Sequence, residues 1–270
     1  MSPLSPNSYR PRAMALLCAV VLTACSSITD SNAKLSNYGA ITITAKNAAA
    51  GRATATINAV FFQGLAASAP NSAAQQGDQC AYAVIDSTTG GATGSLRAGE
   101  SLALTFAGTS VAMPFSTTFL RYEPVTGTAL SYAAGDAATI TVPGLAATFP
   151  AASISVKLAE PLIPGPLVVP AEGSPLDVTW NAGNDASAAI ILSVRYGATA
   201  TATIPNEQIY CALKDDGAFQ VPASGLSAFR ASPSALRSAT LIRWRTQSVR
   251  PDSSSLLHIV STIDTIVRFP

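Results

Sequence analysis

Histidine occurs once in this chain of 270 residues, and charged side chains make up only 11% of it. A Ser-His-Asp triad would need that histidine, His258, beside a nucleophile on a sharp turn, and no Gly-x-Ser-x-Gly motif is present. The 15 acidic residues are scattered over turns, with no carboxylate pair set beside an aromatic cleft for glycosidase-type chemistry. Long apolar runs are also missing. The longest, Ala13 to Ala24, is twelve residues, whereas a membrane-spanning helix needs about 20. A surplus of one charge sign is absent too. Arg10 and Arg12 lie beside the apolar run; without them 14 basic and 15 acidic residues remain, so no long-range field draws the body to nucleic acid or to acidic lipid.

Apolar residues, at 48%, are plentiful, which separates the chain from disordered segments of low hydrophobicity and high charge. Average chains carry about 25% charged residues, so Ser, Thr, Asn, Gln and Ala must cover this surface. Eighteen glycines and eighteen prolines predict many turns and few long helices.

The first 24 residues have the layout of an export signal. Met1 to Arg12 is polar with two arginines, an apolar stretch follows, and small residues precede Cys25. Leu22-Thr23-Ala24-Cys25 resembles the lipobox of bacterial lipoproteins. That resemblance implies a diacylglyceryl thioether on Cys25, cleavage before it and acylation of the freed amine, since several acyl chains anchor where one is marginal. It also implies a place in the bacterial cell envelope, exposed outside the cytoplasm. In a Gram-negative envelope, Ser26 after the cysteine favours the outer membrane over the inner. The partner so implied is a membrane, held through lipid. Residues 25–36 read as a polar tether.

From residue 37 on, apolar and polar residues alternate with period two. Ile41, Ile43 and Ala45 oppose Thr42, Thr44 and Lys46, and Ala55, Ile57, Ala59 and Phe61 form one face of the next strand. Further strands are expected over 79–86, 101–107, 115–122, 137–142 and 152–158, and the segment 64–77 is expected as loop. Glu160-Pro161-Leu162-Ile163-Pro164-Gly165-Pro166 is too proline-dense for a helix or a central strand. Strands resume with Leu176, Val178 and Trp180, then with Ile190, Leu192, Val194 and Tyr196, and then with Ile209, Cys211 and Leu213. A final hairpin over 238–249 and 256–269 is expected to pair Ile242 with Ile263 on the inner side and to turn Arg243 outward. The fold class is therefore all-β. The expected division is an N-terminal sandwich over 37–159, a linker over 160–167 and a second sandwich over 168–270.

Four groups of side chains bear on chemistry. Asp215 and Asp216, with Asp177 and Asp185, are candidate calcium ligands, but Asp215-Asp216-Gly217 is also ordinary turn chemistry and no Asp-x-Asp-x-Asp spacing occurs. Arg243 and Arg245, sharing a face within a segment that also holds Arg230, Arg237 and Arg250, are a candidate ligand face, or else a solvated face that discourages sheet aggregation. Cys80 and Cys211 either form a disulfide, as an oxidising compartment permits, or are separate buried thiols. His258 is expected on the outer face of the last strand.

The run from Leu176-Asp177-Val178-Thr179-Trp180 through Ile209-Tyr210-Cys211 to Asp215-Asp216-Gly217-Ala218-Phe219-Gln220-Val221-Pro222 resembles immunoglobulin-like modules of uncharacterised bacterial lipoproteins. It departs from the immunoglobulin Cys…Trp…Cys pattern, so it implies architecture for about the last hundred residues and no activity, cofactor or site. The functional expectation is a non-catalytic, envelope-anchored protein that binds or builds. The alternative is a module for a glycan or another envelope ligand, with an envelope protein as a further partner. A lipid-anchored hydrolase ranks last.

Overall fold

The computed structural model describes residues 36–63, 78–84, 95–125, 130–146, 148–185 and 187–270. The leader, Cys25, the tether up to residue 35 and the segment 64–77 lie outside the described residues.

Strands dominate. In chain order they are β1 (Asn37–Asn47), β2 (Arg52–Gln63), β3 (Gln79–Val84), β4 (Ser101–Phe106), β5 (Thr109–Ser116), β6 (Arg121–Tyr122), β7 (Leu130–Ala133) and β8 (Ala137–Val142). They continue with β9 (Ala152–Lys157), β10 (Leu176–Thr179), β11 (Ala189–Tyr196), β12 (Glu207–Lys214), β13 (Ala218–Val221), β14 (Ser238–Val249) and β15 (Ser255–Arg268). Among the described residues one short helix, α1 (Ser227–Ala231), is joined by 3₁₀ turns at Ala49–Gly51, Ala223–Gly225 and Ser234–Leu236. Among the described residues no helix is long and apolar enough to cross a membrane.

The strands run in one hydrogen-bonded path, β3-β12-β11-β14-β15-β1-β2-β6-β5-β4-β8-β9. The free edge of β2 is shared in succession, by β6 at Ala59 and by β7 along Arg52 to Ala55. The sheet is mixed. Most neighbours are antiparallel, but β1 and β15 run parallel, from Asn37 opposite Ser255 to Ala45 opposite Ile263. A separate pair, β10 and β13, stands off this path.

The alternation explains which face is covered. Ile41, Ile43 and Ala45 of β1 and Ala55, Ile57, Ala59 and Phe61 of β2 are buried together, as their spacing predicts. Leu102, Leu104 and Phe106 of β4, Ile140 of β8 and Ile154 and Val156 of β9 complete that part of the core. The last of these strands packs back across β14 and β15. Ile190, Leu192 and Val194 of β11, Ile209 and Leu213 of β12, and Leu241 of β14 extend the same cluster. Leu176 and Val178 of β10, Val221 of β13, and Phe229 of α1 belong to it as well. The apolar interior is thus one contiguous cluster from both sides of the proline-rich segment, and the described residues fall in one compact unit. The expected partition at 160–167 meets a sheet that crosses it, because β3 from the first half pairs with β12 from the second.

That proline-rich segment lies against the body. Leu162 and Leu167 are buried. The Asn47 amide donates to the Leu162 carbonyl (2.6 Å) and accepts from its N–H (3.1 Å). Gly165 N–H donates to Thr179 O (2.8 Å), and Asn181 N–H to Ile163 O (3.0 Å). Proline removes ladder donors, but the carbonyls it leaves are used as acceptors below.

Two local expectations change. The stretch 115–122 is not one strand: β5 ends at Ser116, residues 117–120 turn, and β6 follows. The last hairpin is also one residue out of the expected register. Arg243 stands opposite Ile263 and Arg245 opposite Ser261. Ala239 and Leu241 set the inward parity of β14, which sends Arg243 and Arg245 inward and Ile242 and Trp244 to the other face.

Candidate functional site

The arginines expected to form a solvent face occupy the densest polar site in the described structure. Arg243 has no exposed side-chain surface. Its guanidinium grips Asp215 with two bonds, Nε to Oδ2 (2.6 Å) and Nη2 to Oδ1 (3.0 Å). Nη1 donates to the carbonyls of Glu160 (3.2 Å) and Pro161 (2.8 Å), and Nη2 to that of Asn181 (2.5 Å). All five donors of the planar fork are therefore used, which is what makes a buried guanidinium tolerable. Asp215 is equally engaged, accepting from the indole N–H of Trp180 (2.9 Å) and the backbone N–H of Gly183 (3.2 Å). A Cβ at Gly183 would collide with the Asp215 carboxylate, so this close approach requires glycine.

Arg245, two residues along the same face, repeats the pattern toward the surface. It pairs with Asp185 through Nη1 (2.5 Å) and with Glu160 through Nη2 (3.2 Å). The second oxygen of Glu160 accepts from the backbone N–H of Asn184 (3.0 Å). Asp185 is held far below the usual carboxylate range, first by the backbone and hydroxyl donors of Ser187, then by Lys157 and Arg245. Lys157 closes the outer end of the chain at 3.1 Å from Asp185. The cluster ties β14 to the proline-rich segment and to the two turns after β10 and β12. Its charges satisfy one another, so it is a clasp rather than an anion site. Sequence reasoning missed it because the partners lie 28 to 85 residues away. The available signal was parity: Ala239, Leu241, Arg243 and Arg245 share one alternation.

The candidate calcium ligands do not converge. Asp215 and Asp185 belong to the clasp, Asp216 is exposed, and Asp177 accepts from Gln220 (2.8 Å) on the β10–β13 pair. Among the described residues no three His, Cys, Asp or Glu side chains group around a metal position. Elsewhere in the basic segment, Arg237 donates to the carbonyls of Arg230 (2.8 Å) and Ser232 (2.5 Å) and lies over the Phe229 ring.

Cys80 and Cys211 stand directly opposite each other on β3 and β12 and are bonded, with an S–S distance of 2.06 Å. Cys211 does share a core face with Ile209 and Leu213. Its partner reaches it from the adjacent strand on that same face, so burial and pairing coexist.

His258 lies on the outer face of β15 but is buried, with 5% exposure. Its Nδ1 meets Ser248 Oγ at 2.7 Å and its Nε2 meets Thr246 Oγ1 at 3.0 Å, both across the β14–β15 pair. Burial lowers its pKa from the ordinary 6.5. The neutral ring thus bridges two hydroxyls, and no carboxylate is among these partners.

A depression of about 490 Å³ lies beside the start of β1, lined by Asn37, residues 143–146 and 148–151, and Asp252. Two of its polar groups are already engaged: Thr148 Oγ1 donates to Arg97 O (2.6 Å), and Asp252 accepts from Ser254 N–H (2.8 Å). The chain matches no family model and no curated protein.

Proposed function

We propose that this is a lipid-anchored protein of the bacterial cell envelope, whose β body binds or builds rather than catalyses. The observation that carries the reading is Leu22-Thr23-Ala24-Cys25 at the end of a twelve-residue apolar run behind two arginines. The Cys80–Cys211 bridge supports an oxidising compartment, where such bonds persist. The non-catalytic half of the reading is supported by His258, which bridges two hydroxyls, and by arginines and aspartates whose charges are mutually neutralised. For the C-terminal part we read a sandwich arrangement, with β10 and β13 over β11, β12 and β14.

The test is metabolic labelling with a fatty-acid analogue. Wild-type protein takes up the label and fractionates with membranes, and Cys25→Ala does neither. Unchanged labelling of the variant would sink the anchor.

A further inference from the structure

We propose that the end of the body at which β1 begins rests against the lipid surface through the turn between β5 and β6. This rests on the lipid-anchor reading and names the second contact with the same membrane. The turn, Thr117-Thr118-Phe119-Leu120, carries two adjacent large apolar side chains in water: Phe119 is 61% exposed and Leu120 53%. Turn positions ordinarily take Gly, Pro, Asn, Asp or Ser. Leu120 instead sits at a φ of 53°, where glycine is the easier occupant. Phe119 is steadied from behind, not covered: its N–H donates to Ser116 Oγ (3.2 Å), and Arg121 lies 4.9 Å from its ring centre.

Topology puts this turn at the anchored end. Asn37 pairs with Gln63, and Ala59 pairs with Tyr122 in the antiparallel sense, which sets Leu120 level with Phe61. Ser95 donates to the Leu120 carbonyl (3.0 Å), and Leu96 N–H to Phe61 O (2.6 Å). Leu145, also exposed, lines the depression beside Asn37 at this end. Twelve positions separate Cys25 from Asn37, so covalent geometry alone holds that end within about 40 Å of a lipidated cysteine. A small convex wedge of phenylalanine and leucine backed by an arginine suits the headgroup and acyl boundary better than it suits a flat protein face. Arg121 is paired with Glu123 at 2.8 Å, so the contact is apolar and does not depend on anionic lipid.

The experiment uses full-length protein on phosphatidylcholine vesicles, with and without phosphatidylglycerol, containing lipids brominated at defined depths. Phe119→Trp places a reporter in the turn, and Ile204→Trp places one in the exposed loop between β11 and β12 at the far end of the sheet. Both native tryptophans are buried and give a constant background. Phe119→Trp is expected to shift to the blue and to be quenched most by bromines about 5–10 Å below the surface, equally at low and high salt. Ile204→Trp is expected to stay unquenched. An unquenched Phe119→Trp, or equal quenching at the two sites, overturns the proposal. Fatty-acid labelling of the same preparations separates the two readings. Label without quenching at Phe119→Trp leaves the anchor and removes the contact, and quenching without label does the reverse. If neither appears, both fall.

Discussion

Arg243 shows how far a single residue can depart from its usual place. Guanidinium groups avoid interiors because desolvation is costly, and the clasp offsets that cost only while every partner is present. Asp215→Ala should therefore destabilise the fold by about 3–5 kcal/mol, because it leaves a buried cation and frees the Trp180 and Gly183 donors. Denaturant unfolding of the variant measures this, and a change below about 1 kcal/mol, as for a surface pair, would contradict it. His258 and Asp185 make two pH windows. Both have folded pKa values below their unfolded ones, so each contributes stability that is present at higher pH and is lost on acidification. His258 begins to lose its contribution as pH falls below 6.5, and Asp185 as pH falls below 3.8. Unfolding midpoints followed across pH should show His258→Gln flattening the first fall and Asp185→Asn the second. Neither the clasp nor the hydroxyl bridge was legible in the sequence. Local reasoning sends charge outward, and the carboxylates that reverse this choice for Arg243 and Arg245 come from turns remote along the chain.

Strands were far more legible, because a half-buried strand writes its period into the residues. Leu176, Val178 and Trp180 are buried as their alternation requires, and β8 has the bounds its residues predict. The misses have local causes. Residues 117–120 lack any glycine, proline or asparagine, so nothing marked the turn that splits β5 from β6. Leu130–Ala133 is too short to show a period, and β7 went unseen. Strand β3 is the instructive case. It carries Gln79, Ala81 and Tyr82 largely exposed and has β12 as its neighbour in the sheet, so these three bury little surface. Its bridge closes a loop of 131 residues, and removing such a crosslink costs about 2–5 kcal/mol. Reduction, or Cys80→Ser with Cys211→Ser, should lower the unfolding midpoint. It should also strip hydrogen-exchange protection first from the β3–β12 pair. Protection that persists there would show that the backbone ladder alone holds β3.

At the scale of the whole molecule, the described strands other than the β10–β13 pair belong to one sheet, and that pair shares its apolar cluster. Heat or denaturant should then unfold the body in a single transition, with fluorescence and circular dichroism coinciding. Two separated transitions would indicate that the halves on either side of 160–167 fold as independent modules. The proline-rich segment argued for such modules in the sequence, because proline density reads as a break wherever the donors to its carbonyls cannot be seen. Arg243 supplies donors to two of those carbonyls.

The parallel pairing of β1 with β15 carries a consequence in time. The first strand of the body needs the last one beside it, and β15 also completes β14. During synthesis Ile41 and Ile43 have their β2 neighbours early but lack those of β15 until that strand emerges. Contacts of such long sequence separation fold slowly. Removal of residues 255–270 should leave a polypeptide that stays open and protease-sensitive. The intact chain passes through the same interval, open along the edge of β1 that β15 later covers.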